Sequence, residues 1–320
     1  MSAEVQEDVA ALAERMIKTF RPKKLHVIWF GGEPLLAPEV IWSLTKKLRI
    51  LAAGSGVSYT AGIITNGYLL TQELADRLAK NGVKYGIIAL DGVGSAYDRS
   101  RHLKGEGGTF ERITGNIRSI RIPFPVSIRH AITEANMDQV EALRAFTERL
   151  SKESGNLLFN SPDACGWNNA TDVREGDVKL VHGDNAARIA LIRDKYRFTA
   201  VSGGRCGACT IGRVDIDARG KLYKCGPEMD NLEGRSFGTA KDWDPAAPLD
   251  TASDPEQLTR YLDAAVGDRD VECFECEWLP LCAGGCPYHR VNIGKDCLSY
   301  KNKPEQYVRT LYERLTGMVL

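Results

Sequence analysis

Apolar residues recur every three or four positions at the start of the chain, where Val5, Val9, Leu12, Met16 and Phe20 form one stripe of a helix that Pro22 ends. Residues 25–30 (LHVIWF) follow as a short apolar run without clean alternation, the pattern of a parallel strand buried on both faces. The two periods then keep exchanging. Val40, Leu44, Leu48 and Leu51 predict a helix, and residues 59–64 a strand running into Thr65-Asn66-Gly67. Thr71 is placed to cap a helix that closes at Asn81-Gly82, and residues 85–90 read as a third strand leading into Asp91-Gly92. Thr109 stands at an N-cap position before Phe110, Ile113, Ile117 and Ile120, and residues 126–132 form a fourth strand after Pro123 and Pro125. Asn136 and Gln139 have capping-box spacing ahead of Val140, Leu143, Phe146 and Leu150, and residues 156–160 supply a fifth strand.

Helices alternating with short buried strands predict an α/β fold with a parallel sheet, as a barrel or a doubly wound sheet, whose ligands sit where loops leave the C-terminal strand ends. His26, Trp29 and Trp42 read as packing residues of this layer. From 162 to 202 the periodicity weakens to a connecting segment with one helix near 185–194. Residues 203–303 change to short strands and cysteine-bearing loops, and 304–320 form a closing helix with Tyr307, Val308, Leu311 and Leu315 on one side. The first domain on this division is 1–161.

Composition narrows the function. The 320 residues carry 42 basic and 42 acidic side chains, so no net field favours nucleic acid or an anionic membrane surface. No apolar run reaches the length of a membrane span and the N-terminus has no signal-peptide core, which predicts a cytoplasmic protein. Eight of the nine cysteines fall between Cys206 and Cys297, with Cys165 apart. In a reducing compartment such clustering points to metal rather than disulfides, and four thiolates suit either a zinc ion or an iron–sulfur cluster. Spacing alone leaves that choice open.

The cysteines read Cys206-x2-Cys209, Gly220-x4-Cys225, then Cys273-x2-Cys276-x5-Cys282-x3-Cys286 and a final Cys297. This resembles the seven-cysteine signature of the SPASM domain, the C-terminal extension of radical SAM peptide and protein maturases, with Cys209 as an eighth thiol. Carried over by order from anaerobic sulfatase maturases, the resemblance implies two auxiliary [4Fe-4S] clusters. Cys206, Cys209, Cys225 and Cys286 would hold the first, and Cys273, Cys276, Cys282 and Cys297 the second. The x2 spacing of Cys206 and Cys209 is shorter than in those enzymes.

The first 161 residues add matching turns. Gly31, Gly32, Glu33 and Pro34 follow the first strand and resemble the GGEP motif that binds the methionyl amine of S-adenosylmethionine (SAM) in radical SAM enzymes. Thr65, Asn66 and Gly67 resemble the family's TNG turn near ribose and adenine, and Ser127 and Arg129 its SIR element, whose Arg would meet the SAM carboxylate. Asp91 resembles the Asp of the family's LDG turn, which faces the substrate and is the catalytic candidate here. Asp98, Arg101 and Gly107 to Phe110 resemble the HDxxR…GTF run, with Tyr97 in place of its His, and Ala131 replaces an Asn common after the SIR arginine.

The family's CxxxCxxC loop is absent, since no cysteine precedes Cys165. The expectation is therefore a partial (βα)6 radical SAM barrel lacking its first strand, joined to a SPASM domain and shortened at its N-terminus. SAM and a third [4Fe-4S] cluster are implied only if the missing segment is restored. The activity so implied is modification of a ribosomally made peptide by a SAM-derived radical, as a thioether, another crosslink or a side-chain oxidation. A peptide or protein substrate and a reductant such as flavodoxin or ferredoxin are the implied partners, without nucleic acid or membrane. A non-catalytic electron-transfer or peptide-binding partner is the alternative, and a zinc-stabilised binding module a further one.

Overall fold

The computed structural model describes residues 1–101, 107–131, 136–163, 206–231, 234–264, 270–282, 284–292, 294–295, 297, 301, 305, 308–309 and 312. The expected helix near 185–194 and most of the one after Pro304 lie outside these residues. The chain divides into two compact units, one of residues 21–166 and one that joins Met1–Phe20 to Trp167–Leu320.

In the 21–166 unit, five parallel strands stand in chain order: β1 (Lys24–Trp29), β2 (Ser58–Thr65), β3 (Val83–Ala89), β4 (Val126–Ala131) and β5 (Leu158–Asp163). The connections include α2 (Pro38–Gly54), α3 (Gln72–Lys80), α4 (Ser95–Ser100), α5 (Phe110–Ser119) and α6 (Val140–Ser154), with α1 (Ala3–Phe20) preceding them in the chain. One sheet face supplies Ala61, Ile63, Ile88, Val126 and Ile128 to a core completed by Ile41, Leu78, Ile113, Ile117, Leu143 and Phe146 from the helices. The predicted helix period is thus the one that packs.

Burial corrects the reading of β1 as buried on both faces. Its residues alternate, with Leu25, Val27 and Trp29 half-buried and Lys24, His26 and Ile28 exposed. The apolar Ile28, 42% exposed, hid the alternation in the sequence. His26 is consequently not a core residue, although both ring nitrogens are engaged, by Thr60 Oγ1 at 2.9 Å and Tyr85 Oη at 3.1 Å. Gly62 makes room for that Tyr85 ring, since a Cβ there would stand 2.4 Å from Tyr85 Cζ.

Two predicted caps are built differently. Thr71 accepts from Leu74 N at 3.3 Å as expected. At α5, however, Asp98 Oδ1 accepts from both Thr109 N (2.7 Å) and Phe110 N (2.9 Å), while Thr109 Oγ1 donates to Arg101 O. A carboxylate from α4 therefore satisfies the first donors of α5, and its charge suits the positive end of the helix dipole. Asn136 forms no capping box either. Its Nδ2 donates to Asp91 O (3.0 Å) and Ala131 O (2.8 Å), tying the ends of β3 and β4 together.

The second unit contains a small antiparallel sheet of β6 (Asp215–Ile216), β7 (Lys221–Tyr223) and β8 (Gly238–Thr239). It also holds α7 (Pro227–Asn231), α8 (Pro255–Asp263), α9 (Val271–Phe274), α10 (Leu279–Cys282) and α11 (Pro287–Asn292). Phe237 and Trp243 meet edge to face, centroids 5.4 Å apart, in a core with Leu222, Leu258 and Tyr261. Gly220, which belongs to the cysteine signature, turns the β6–β7 hairpin at φ +82°, and its Cβ would meet Val5 of α1 at 3.2 Å. Arg15 of α1 donates to Ala240 O (2.7 Å) and Trp243 O (3.0 Å), so the first helix belongs to this unit.

Candidate functional site

At the C-terminal end of β1, Glu33 gathers the first two motifs. Its Oε1 accepts from Leu35 N (3.0 Å) and Thr65 Oγ1 (2.7 Å), and its Oε2 accepts from Asn66 N (2.7 Å). Asn66 Oδ1 in turn accepts from Tyr68 N at 2.8 Å, an Asx turn, and Thr65 Oγ1 accepts from Gly67 N at 3.1 Å. Gly67 adopts φ +76° against Ile113 and Ile88, a position with no room for strain from a side chain. A carboxylate offers about four acceptor sites, so three internal donors leave about one for an ammonium group. Nothing lies within 4 Å of a Cβ built on Gly31 or Gly32, so the strand-end loop leaves its backbone approachable. Pro34 opens the 3-10 turn Pro34–Leu36 that Glu33 caps.

Ser127 and Arg129 lie two apart on β4 and so share one sheet face, beside Ile87 and Ala89 of β3. Asp91, at the end of β3, is buried and fully engaged. Arg101 Nε pairs with its Oδ2, and Ala131 N donates to its Oδ1 at 2.8 Å. The structure thus brings Glu33, Thr65, Asn66 and Gly67 into one network, and joins Asp91 to Arg101, Asn136 and β4 in another. His130, next to Arg129, is completely buried, and burial lowers its pKa more than the Asp91 charge raises it. Burial likewise pushes the Tyr97 hydroxyl up to about 12, and that hydroxyl donates to Ala89 O at 3.5 Å.

In the second unit the cysteines form two neighbourhoods. The Cys225 thiol is pushed far up, first by burial and then by negative charge from Asp215, Cys286, Glu228 and Cys206. Cys206 and Cys286 therefore lie in its electrostatic reach. Beside it Lys224 is fully buried, donating from Nζ to Thr210 O (2.6 Å) and Arg213 O (2.5 Å), within the field of Cys209 and Cys206. Desolvation lowers its pKa to about 8. Cys273, Cys276 and Cys297 instead line a separate cavity with Arg290, Lys295 and Lys301. The side chain of Cys282, whose backbone ends α10, lies outside the described residues. Among the described residues no three Cys, His, Asp or Glu side chains converge at metal-holding spacing. The thiol donors are of the type that holds zinc or an iron–sulfur centre.

Sequence reasoning missed Lys224, Glu228, Asp270 and Arg290. Lys224 directly precedes Cys225, and Asp270 stands three residues before Cys273 as an N-cap would, so both left a legible signal. Glu228 is fully buried, accepts from Gln257 Nε2 at 2.9 Å, and has its pKa raised from 4.5 to about 7 by burial. The folded state thus keeps a proton that the unfolded chain releases near pH 4.5. The stability tied to that proton is complete below pH 4.5 and is lost as pH rises to about 7, by about 3 kcal/mol. Urea titrations across this range should show the decline, and Glu228→Gln should flatten it. An equally steep decline in the variant would assign it to another group.

The radical SAM superfamily pattern matches residues 2–146. An AdoMet-dependent heme synthase of Methanosarcina barkeri is 23% identical over 290 residues, 81% of this chain and 76% of that protein. A pre-heme d1 synthase of Dinoroseobacter shibae is 35% identical over 118 residues, 37% of this chain and 27% of that protein. Among solved structures, the anaerobic sulfatase maturase anSMEcpe with bound AdoMet and the Kp18Cys peptide superposes with a TM-score of 0.64 at 16% identity. That match covers 99% of this chain and 90% of the maturase. A hexahistidine-tagged form with AdoMet gives 0.65 at 17%, over 99% and 86%. The five-stranded parallel sheet thus has the fold of these radical SAM enzyme structures, and the radical SAM superfamily pattern covers residues 2–146 of the chain.

Proposed function

We propose that this chain is a SPASM-type radical SAM maturase that holds two auxiliary [4Fe-4S] clusters and acts on a peptide side chain. The observation that carries the cluster reading is the separation of the thiols. Cys225 lies in the field of Cys206 and Cys286, whereas Cys273, Cys276 and Cys297 share another cavity. Cys206, Cys209, Cys225 and Cys286 would hold one centre and Cys273, Cys276, Cys282 and Cys297 the other. Bound there, such clusters supply one-electron acceptors or an iron site for a substrate thiolate. Arg213 and Lys224 place positive charge beside the first set, offsetting its thiolates.

The SAM-facing residues fit the methionyl group in charge. Glu33 retains acceptor capacity for an ammonium, the Gly31-Gly32 backbone is open, and the Arg129 guanidinium matches a carboxylate. A SAM-cleaving cluster does not fit the residues present, because no CxxxCxxC set occurs and the first cysteine is Cys165. Radical generation is therefore assigned to no group of this chain. A second substrate reading, a porphyrin, is favoured by the relatives named heme synthase and pre-heme d1 synthase.

Iron and sulfide analysis after anaerobic reconstitution tests the reading. About 8 iron and 8 sulfide per chain are expected. Zinc in place of iron would leave a structural binding module. Formation of 5′-deoxyadenosine from SAM under dithionite would require a third centre on ligands other than those named, and the same assay with peptide or porphyrin present separates the two substrate classes.

A further inference from the structure

Cys273 sits inside a closed ring of contacts. Asp270 caps α9, accepting from Cys273 N at 3.2 Å. The same carboxylate accepts from Arg290 Nη2 at 2.5 Å, and Arg290 Nη1 returns to Cys273 Sγ at 3.4 Å while also donating to Gly284 O at 3.1 Å. The guanidinium is thus fixed at three points around one sulfur. Its side chain is 13% exposed, so solvent screens it little.

The lysines nearby are placed differently. Lys295 bridges Asp270 (2.8 Å) and Glu272 (2.7 Å), and Lys301 pairs with Glu272 at 3.2 Å. Each is about one-third exposed, so solvent weakens its field at the sulfur more than it weakens that of Arg290. Arg290 alone among these three cations has an N–H directed at a thiol sulfur among the described contacts. A hydrogen bond to a ligating thiolate withdraws electron density from it, which favours the reduced state of the centre it binds.

Building on the cluster reading above, we propose that Arg290, oriented by Asp270, is a positioning residue that raises the reduction potential of the centre held by Cys273, Cys276, Cys282 and Cys297. The hydrogen bond acts on the ligand sulfur and requires no proton transfer.

The test is an EPR-monitored dithionite titration of the full reconstituted chain, made in a Cys225→Ala background so that only the second centre reports. Arg290→Met should keep about four iron per chain and shift reduction tenfold toward the oxidised form, which is about 59 mV more negative for one electron. Arg290→Lys, which keeps the charge but not the fork, should recover part of the shift, and Lys295→Met should move it less than Arg290→Met. An unchanged potential in iron-replete Arg290→Met overturns the proposal. Loss of iron in Arg290→Met with an unshifted, iron-replete Arg290→Lys also overturns it, making the residue a structural holder of the loop. If the parent protein takes up no iron at all, the cluster reading itself fails, an outcome distinct from both.

Discussion

Arg101→Met is expected to destabilise the chain by about 3 kcal/mol, with urea unfolding of the full chain as the measurement. Asp91 has only 4% of its side chain exposed, and the guanidinium of Arg101 is its one cationic partner among the described residues. Removing the cation leaves a desolvated carboxylate with the Ala131 amide as its remaining side-chain hydrogen bond among the described residues. Breaking a buried pair costs more than the pair contributes, because the orphaned charge keeps its full desolvation penalty. Arg101 is itself one-third exposed, which puts the expected loss at the low end of the range for buried pairs. Adding Asp91→Asn should return much of the stability, since an amide tolerates the site without a counter-ion. A loss below about 1 kcal/mol would mean that water reaches Asp91 and the pair behaves as a surface ion pair.

Cys225→Ala should halve the metal content, from about 8 to about 4 iron, with sulfide falling in step. The Cys225 side chain is half-buried and burial raises its thiol pKa, so metal binding there releases a proton. Alanine at this position removes the proposed ligand and leaves Cys206 and Cys209 beside the buried Lys224. Cys165→Ala is the matched control, because that thiol lies in neither set, and should retain the full count. Equal loss in both variants would attribute the fall to general instability. Retention of about 8 iron in Cys225→Ala would exclude the proposed first ligand set.

The alternation of helices and strands was legible because apolar period and burial agree over most of residues 21–166. Thr71 shows why local signals succeed there: the hydroxyl caps the donor three residues ahead, a contact that lies wholly within the helix's own first turn. Asn136 shows why others fail. Its side chain finds two acceptors from separate strand ends, and those tertiary contacts outrank a local cap that the spacing alone suggested. The same competition gives α5 its cap from Asp98, eleven residues before Thr109. At the candidate site, glycine-rich turns were readable from composition, whereas the wiring of Glu33 to Thr65 and Asn66 spans more than thirty residues and has no periodic trace. The position of Lys224 beside Cys225 was legible but its burial was not: lysine is expected at the surface, and the carbonyls of Thr210 and Arg213 with the charge of Asp215 make the burial tolerable.

The docking of α1 bears on how the chain is made. Arg15 reaches Ala240 across 225 residues, so the ribosome must finish most of the protein before the first helix meets its partner. At typical synthesis rates that interval is roughly 10 to 45 s. During it the Val9, Leu12 and Ile17 stripe of a nascent segment stays uncovered while the intervening sheet is free to condense. Expression under slowed translation, or with trigger-factor-type holdases limiting, should therefore lower the soluble yield of this chain more than that of a version whose first twenty residues are removed.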